Sequence, residues 1–127
     1  MFFKLFILHQ YYISLFLYLH YSIGVPINEK NFPEQVLKAT SPVIVEFGAV
    51  WCAPCKRLEP IMEKLGDEWG GKVRLVKIDV DESANVAINC QVMSVPTLIL
   101  FVQGQEKQRL TGLQPRERII EKFTPFF

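Results

Sequence analysis

The run Val43-Ile-Val-Glu-Phe47 constrains the fold more than any other stretch of the chain. It is nearly continuous in β-branched and aromatic residues, the signature of a central strand covered on both faces. Such a strand needs helices above and below it, and the following sequence supplies them. From Cys55 onward, Leu58, Ile61, Met62, Leu65 and Trp69 recur at intervals of three, four and seven, the stripe of an amphipathic helix, which Gly70-Gly71 ends and Pro60 is expected to kink. Val73 to Asp79 reads as the next strand, and Ser83 as the cap of a helix running to about Cys90.

The flanking segments extend this alternation. Val25 to Asn28 can form a short first strand, and Asn31 and Glu34 stand three apart like a capping box before a short helix holding Val36 and Leu37. Thr97 to Val102, then Gln103-Gly104-Gln105, then Glu106 to Thr111 reads as an antiparallel hairpin. Pro115 at a helix N1 position opens a last helix to Phe123, with Ile119, Ile120 and Phe123 on one face. The expected class is therefore α/β, a central mixed β-sheet flanked by helices on both faces. In such sheets chemistry gathers beyond the carboxyl ends of the central strands, and Trp51-Cys-Ala-Pro-Cys55 lies there.

Charge and cysteine content narrow the function. Fourteen Lys plus Arg against thirteen Asp plus Glu give a net charge of +1, with the signs interleaved, so no nucleic-acid partner is expected. Three cysteines are too few for a disulfide-stapled scaffold. Two of them stand at Cys-X-X-Cys spacing, which favours redox or metal chemistry. A closed zinc site needs about four ligands, and both histidines, His9 and His20, lie outside the domain, so neither a metal nor another cofactor is expected.

Residues 1–24 differ from the rest, being dense in Phe, Tyr, Leu and Ile with Lys4 as the only charge. Three readings are open: a signal peptide ending at Ser22-Ile23-Gly24, an uncleaved membrane anchor interrupted by His9, Gln10, Tyr11-Tyr12 and His20, or a start-site artefact with translation beginning at Val25. Residues 25–127 form the domain on any of them. Cytoplasmic location follows from the third reading, and export or membrane attachment from the others.

A cysteine attacks as thiolate, and an ordinary thiol ionises near pH ~8.5. Cys52 would sit at a helix N-terminus, facing unpaired N–H groups and the positive end of the dipole, an effect worth roughly 0.3–2 kcal/mol. Cys55 lies one turn on, close enough for a disulfide and turned inward. The expected division is an exposed Cys52 as nucleophile and a shielded Cys55 as the resolving thiol. The alternative is two inert structural cysteines. Cys-X-X-Cys beside a βαβ pattern is the sequence signature of a thioredoxin-like redox centre.

Glu46 needs a second explanation, because an ionised carboxylate in a strand core is costly and escapes its charge by a raised pKa. Behind Cys55 it could carry that thiol's proton, with Lys77 on the adjacent strand as counter-charge. The alternative is a strand-edge glutamate reaching solvent. Cys90 reads as a small core hydrophobe, the alternative being a regulatory thiol, for which the sequence offers no basic neighbour.

Trp51-Cys-Ala-Pro-Cys55-Lys56, Pro60, Lys77-Ile-Asp79, Val95-Pro-Thr97, Gly104 and Gly112, in this order and spacing, resemble the thioredoxin family across Val43 to Phe123, and Val25 to Thr40 is similar to its usual opening. The resemblance implies a general protein-disulfide reductase, monomeric, kept reduced by a thioredoxin reductase and acting on disulfide-containing client proteins. It implies that Pro96 is cis, that Val95 offers backbone hydrogen bonds to an extended substrate, and that Trp51, Ala53, Pro54, Pro96 and Gly112 shape an apolar groove. Three residues depart from the family pattern: Glu46 replaces an aspartate, Gly48 stands where a bulky aromatic is common, and Ala53 replaces a glycine. Pro54 offers no side-chain donor to the Cys52 thiolate, which points to a reductant. Rival readings are a binding module without turnover and an exported or membrane-tethered reductase.

Overall fold

The computed structural model describes residues 25–127, so the three readings of residues 1–24 lie outside the described residues. Strand β2 (Val43–Gly48) is central in a five-stranded sheet. The others are β1 (Val25–Ile27), β3 (Arg74–Asp79), β4 (Thr97–Val102) and β5 (Gln105–Thr111), in the spatial order β1-β3-β2-β4-β5. β1 and β2 both pair parallel with β3, while β4 pairs antiparallel with β2 and with β5. The expected mixed sheet is formed.

Alternation along the strands divides the core. Val43, Val45 and Phe47 face one side, with Val76, Ile78, Ile99 and Phe101, beneath a short helical turn (Pro33–Leu37) and helix α2 (Ala84–Asn89). Ile44 faces the other, with Leu75, Leu98 and Leu100, beneath α1 (Ala53–Trp69) and α3 (Arg116–Phe123). Glu46, two residues after Ile44, shares this second face. The stripe of α1 is buried at Leu58, Met62, Leu65 and Trp69, and Pro60 is accommodated within the helix.

Several local expectations are corrected. Asn31 and Glu34 form no capping box: Asn31 Oδ1 accepts from Asn28 N–H at 2.7 Å, Asn28 Oδ1 accepts from the N–H groups of Lys30 and Asn31, and Glu34 pairs with Lys38. Short polar side chains here satisfy the turn's own backbone, a competing use of the same residues. Ser83 precedes α2, but its buried side chain makes no capping bond. Pro115, with ψ 149°, is the N-cap of α3, one position earlier than expected. Val73 lies just outside β3, and β5 begins at Gln105. The hairpin loop is therefore Gln103-Gly104, both at positive φ, 51° and 76°. This pair of left-handed residues matches the twist of the strands it joins.

Candidate functional site: a dithiol at a helix N-terminus

β2 ends at Gly48, and the chain turns through Ala49-Val50-Trp51 into α1. Cys52 is its N-cap, in extended conformation, and its Sγ accepts the Cys55 backbone N–H at 3.2 Å. The two cysteines form a disulfide with their Cα atoms 5.3 Å apart. The helix start thus presents a donor to the first sulfur, one of the N–H groups that have no partner inside the helix.

One part of the expected division of labour is corrected. Cys52 is not exposed in the oxidised protein: it is 3% accessible, against 4% for Cys55. Both cysteines are buried in the disulfide form, so accessibility does not tell them apart. Position does: Cys52 caps the helix, whereas Cys55 lies in its first turn and lines an open pocket of about 630 Å³ with Glu46, Gly48, Glu59 and Lys77. A Cβ built on Gly48 would stand 3.4 Å from Cys55 Sγ, so glycine there keeps the pocket open beside the second sulfur.

The solvent-reaching alternative for Glu46 is excluded, since the residue is 6% accessible on the central strand. Its carboxyl is raised to about 7, first by burial, with Lys77 pulling down and Glu59 and Glu63 pushing up. Lys77 is its register partner on β3. Its ammonium, however, pairs with Glu59 Oε1 at 2.9 Å, and among the described residues it makes no ion pair with Glu46. Lys77 is a counter-charge at a distance, because α1 brings a closer carboxylate.

The start of β4 lies at the same end of the sheet. Because β4 runs antiparallel to β2, its first residue, Thr97, pairs with Phe47 at β2's end, which sets Val95-Pro96 beyond the carboxyl end of β2. The Val95–Pro96 peptide is cis, as the resemblance implied. The Pro96 carbonyl accepts from Gly112 N–H at 2.7 Å, and Gly112 has φ 83°. Val95 forms no backbone hydrogen bond among the described residues. Trp51 is 67% exposed and Met93 93%, Ala53 is exposed, and Pro54 opens the first turn of α1.

Two contacts were missed. Trp51 Nε1 donates to Asp81 Oδ2 at 2.8 Å, and Asp79 Oδ1 accepts from the N–H groups of Asp81 and Glu82 to shape that loop. An Asp-X-Asp starting on the last residue of a strand was the available signal. Cys90 does have a basic neighbour: Arg109 donates to its backbone carbonyl at 2.6 Å. Burial outweighs that charge and pushes the Cys90 thiol up.

The thioredoxin family model matches residues 24–124. The chain belongs to the thioredoxin family. It is 37% identical over 97 residues to the thioredoxin of Staphylococcus saprophyticus subsp. saprophyticus, covering 76% of this chain and 91% of that one. It is 38% identical over 91 residues to thioredoxin C-2 of Corynebacterium nephridii, covering 72% and 84%. Against the chloroplastic thioredoxin M5 of Oryza sativa subsp. japonica the identity is 37% over 99 residues, spanning 76% of this chain and 58% of that longer protein. As a thioredoxin-family protein with a Cys52–Cys55 pair, it is a thiol–disulfide oxidoreductase. Among the described residues, no helix is long and apolar enough to cross a membrane, and no group of three or more His, Cys, Asp or Glu could hold a metal ion.

Proposed function

We propose that Cys52 is the attacking nucleophile of a general protein-disulfide reductase, and the bond from Cys55 N–H to Cys52 Sγ is the observation that carries this reading. In the reduced protein that donor and the dipole of the 17-residue α1 favour the Cys52 thiolate. The thiolate attacks one sulfur of a partner disulfide, forming a Cys52–partner bond and releasing the partner's other sulfur as thiolate, which takes a proton from solvent. Cys55 then gives its proton to the Glu46 carboxylate and attacks Cys52 Sγ. The Cys52–Cys55 bond forms, the partner leaves as a second thiolate, and two electrons have passed to it.

Glu46 is suited to this relay because it lines the same pocket as Cys55 and loses its proton near neutral pH. Lys77 holds positive charge on the same face. The unbonded Val95 backbone would pair with an extended stretch of the partner. Trp51, Ala53, Pro54, Pro96 and Gly112 would border the groove that receives it. Both cysteines being present and bonded favours turnover over a pure binding module. Electrons would come from a thioredoxin reductase, and the clients would be disulfide-containing proteins met by a monomer.

We further place the exchange domain at residues 25–127 and its location in the cytoplasm, with residues 1–24 as a separate extension. Intact mass together with cell fractionation tests this. Full-length protein in membranes would instead favour the tethered reductase.

The exchange itself is tested with insulin reduction and mass spectrometry. Cys52→Ser should reduce turnover to the background of the added dithiothreitol, and Cys55→Ser should accumulate a mixed disulfide through Cys52. A Cys52→Ser protein that still turns over would overturn the assignment.

A further inference from the structure

α1 carries a second acidic residue into the region of Glu46. Glu59 lies four residues after Cys55, one helical turn along the same face. It borders two spaces that Glu46 and Lys77 also border: the open pocket beside Cys55, and a narrow void of about 10 Å³ that Ile44, Met62, Leu75 and Val76 also line. That void is near the lower limit for a single water molecule. Glu59 thus meets Lys77 directly and shares both spaces with Glu46.

The register makes this arrangement informative. Glu46 and Lys77 are paired across β2 and β3, on the face covered by α1, and a lysine there could serve a buried carboxylate directly. It serves Glu59 instead, at 2.9 Å, with both side chains partly exposed, 34% for Lys77 and 42% for Glu59.

We propose that Glu59 is a positioning residue for the exchange reaction: by holding Lys77 it withholds the ammonium from Glu46, and so sets the pH at which the buried carboxyl takes the Cys55 proton. This rests on the reading of Glu46 as proton carrier. With Lys77 engaged, Glu46 feels a neutralised pair and a nearby like charge, so burial prevails. Its carboxyl stands at about 7, with Glu59 and Glu63 of α1 raising it and Lys77 of β3 lowering it. Lys56 and Asp79 border the same pocket. The β4 register partner, Leu98, brings no charge to oppose these. Removing the Glu59 charge leaves Lys77 free to turn toward Glu46.

The test uses the full-length chain and three variants. In the oxidised protein, where neither Cys52 nor Cys55 titrates, the Glu46 carboxyl is followed by carbon NMR against pH. In the reduced protein, the rate of insulin reduction is followed over the same range. Glu59→Gln should move the Glu46 midpoint and the rising limb of the rate profile acidward together, by about one pH unit. Glu59→Asp, which keeps the charge, should restore the wild-type midpoint. If Glu46→Gln abolishes the limb while Glu59→Gln leaves the midpoint in place, Glu59 has only a structural role and the inference is overturned. If Glu46→Gln leaves the limb intact, the proton-carrier reading itself fails, and the inference with it.

Discussion

The two faces of the sheet are made by the same strands yet handle charge differently. On the face beneath the Pro33–Leu37 turn and α2, the ionisable strand residues stand at the margins. Arg74 is partly exposed and bonded to Gln35, and Arg109 to the carbonyls of Cys90 and Gln91. On the face beneath α1 and α3, a carboxyl sits on the central strand at 6% accessibility. Marginal charges keep their hydration and cost little. A central one is raised to about 7 and is retained where the second sulfur lies. The difference separates a face whose charges stay at the margins from one that holds a buried carboxyl in the pocket of the second sulfur.

The largest expected effect tests the stabilising face alone. Phe101 packs edge-on against Phe32, with ring centroids 5.9 Å apart, at the end of β4 remote from the cysteines. Phe101→Ala should cost about 3–5 kcal/mol in urea unfolding, while the insulin-reduction rate per folded molecule stays at the wild-type level. A large rate loss without unfolding would show that the faces are coupled.

The opposite sign is expected on the other face. The Glu46 carboxyl lies at about 7 when folded, above its ordinary 4.5, so folding takes up a proton between those values. Its contribution to stability is full below pH 4.5 and is lost as pH rises through 7. The loss amounts to about 3 kcal/mol. Glu46→Leu should remove that slope, and at pH ~8 should be the more stable protein by up to the same amount. Urea titrations at several pH values compare the two.

The cover of the stabilising face gives the third prediction. A Cβ on Gly104 would come within 2.5 Å of the Leu37 carbonyl oxygen, and φ is 76°. Gly104→Ala should therefore destabilise by about 2 kcal/mol, read as a lower thermal midpoint. The smallest effect is at the rim of the reactive end. Asp81→Ala removes the acceptor of the Trp51 indole, and since both groups are exposed it should cost no more than about 1 kcal/mol. Trp51 fluorescence should change more than stability does.

Where hydrophobic period and turn chemistry decide an element, the sequence was sufficient. The Val43–Phe47 run, the α1 stripe and the hairpin were all legible, and so was the cysteine pair. What failed depended on which of two partners a polar side chain would choose. Asn31 could cap a helix or close its own turn, and Lys77 could meet Glu46 or Glu59. The first turns on two local geometries open to the same residues, and the second on residues far apart in sequence, as do the Trp51–Asp81 bond and Arg109 beside Cys90. Cys52 was expected in solvent because a nucleophile must be reached, whereas in the disulfide form it is buried.

The reversal of direction at β4 has one more consequence. Because that strand starts where β2 finishes, the two walls proposed for the groove come from segments about 40 residues apart in the chain, held at one end of the sheet by the five-pair ladder of β2 and β4. A fragment cut before Ser94 would own both sulfurs but only half of the cleft. Insulin reduction can therefore serve as a reporter of complementation: separated halves should regain it only on docking in the native register.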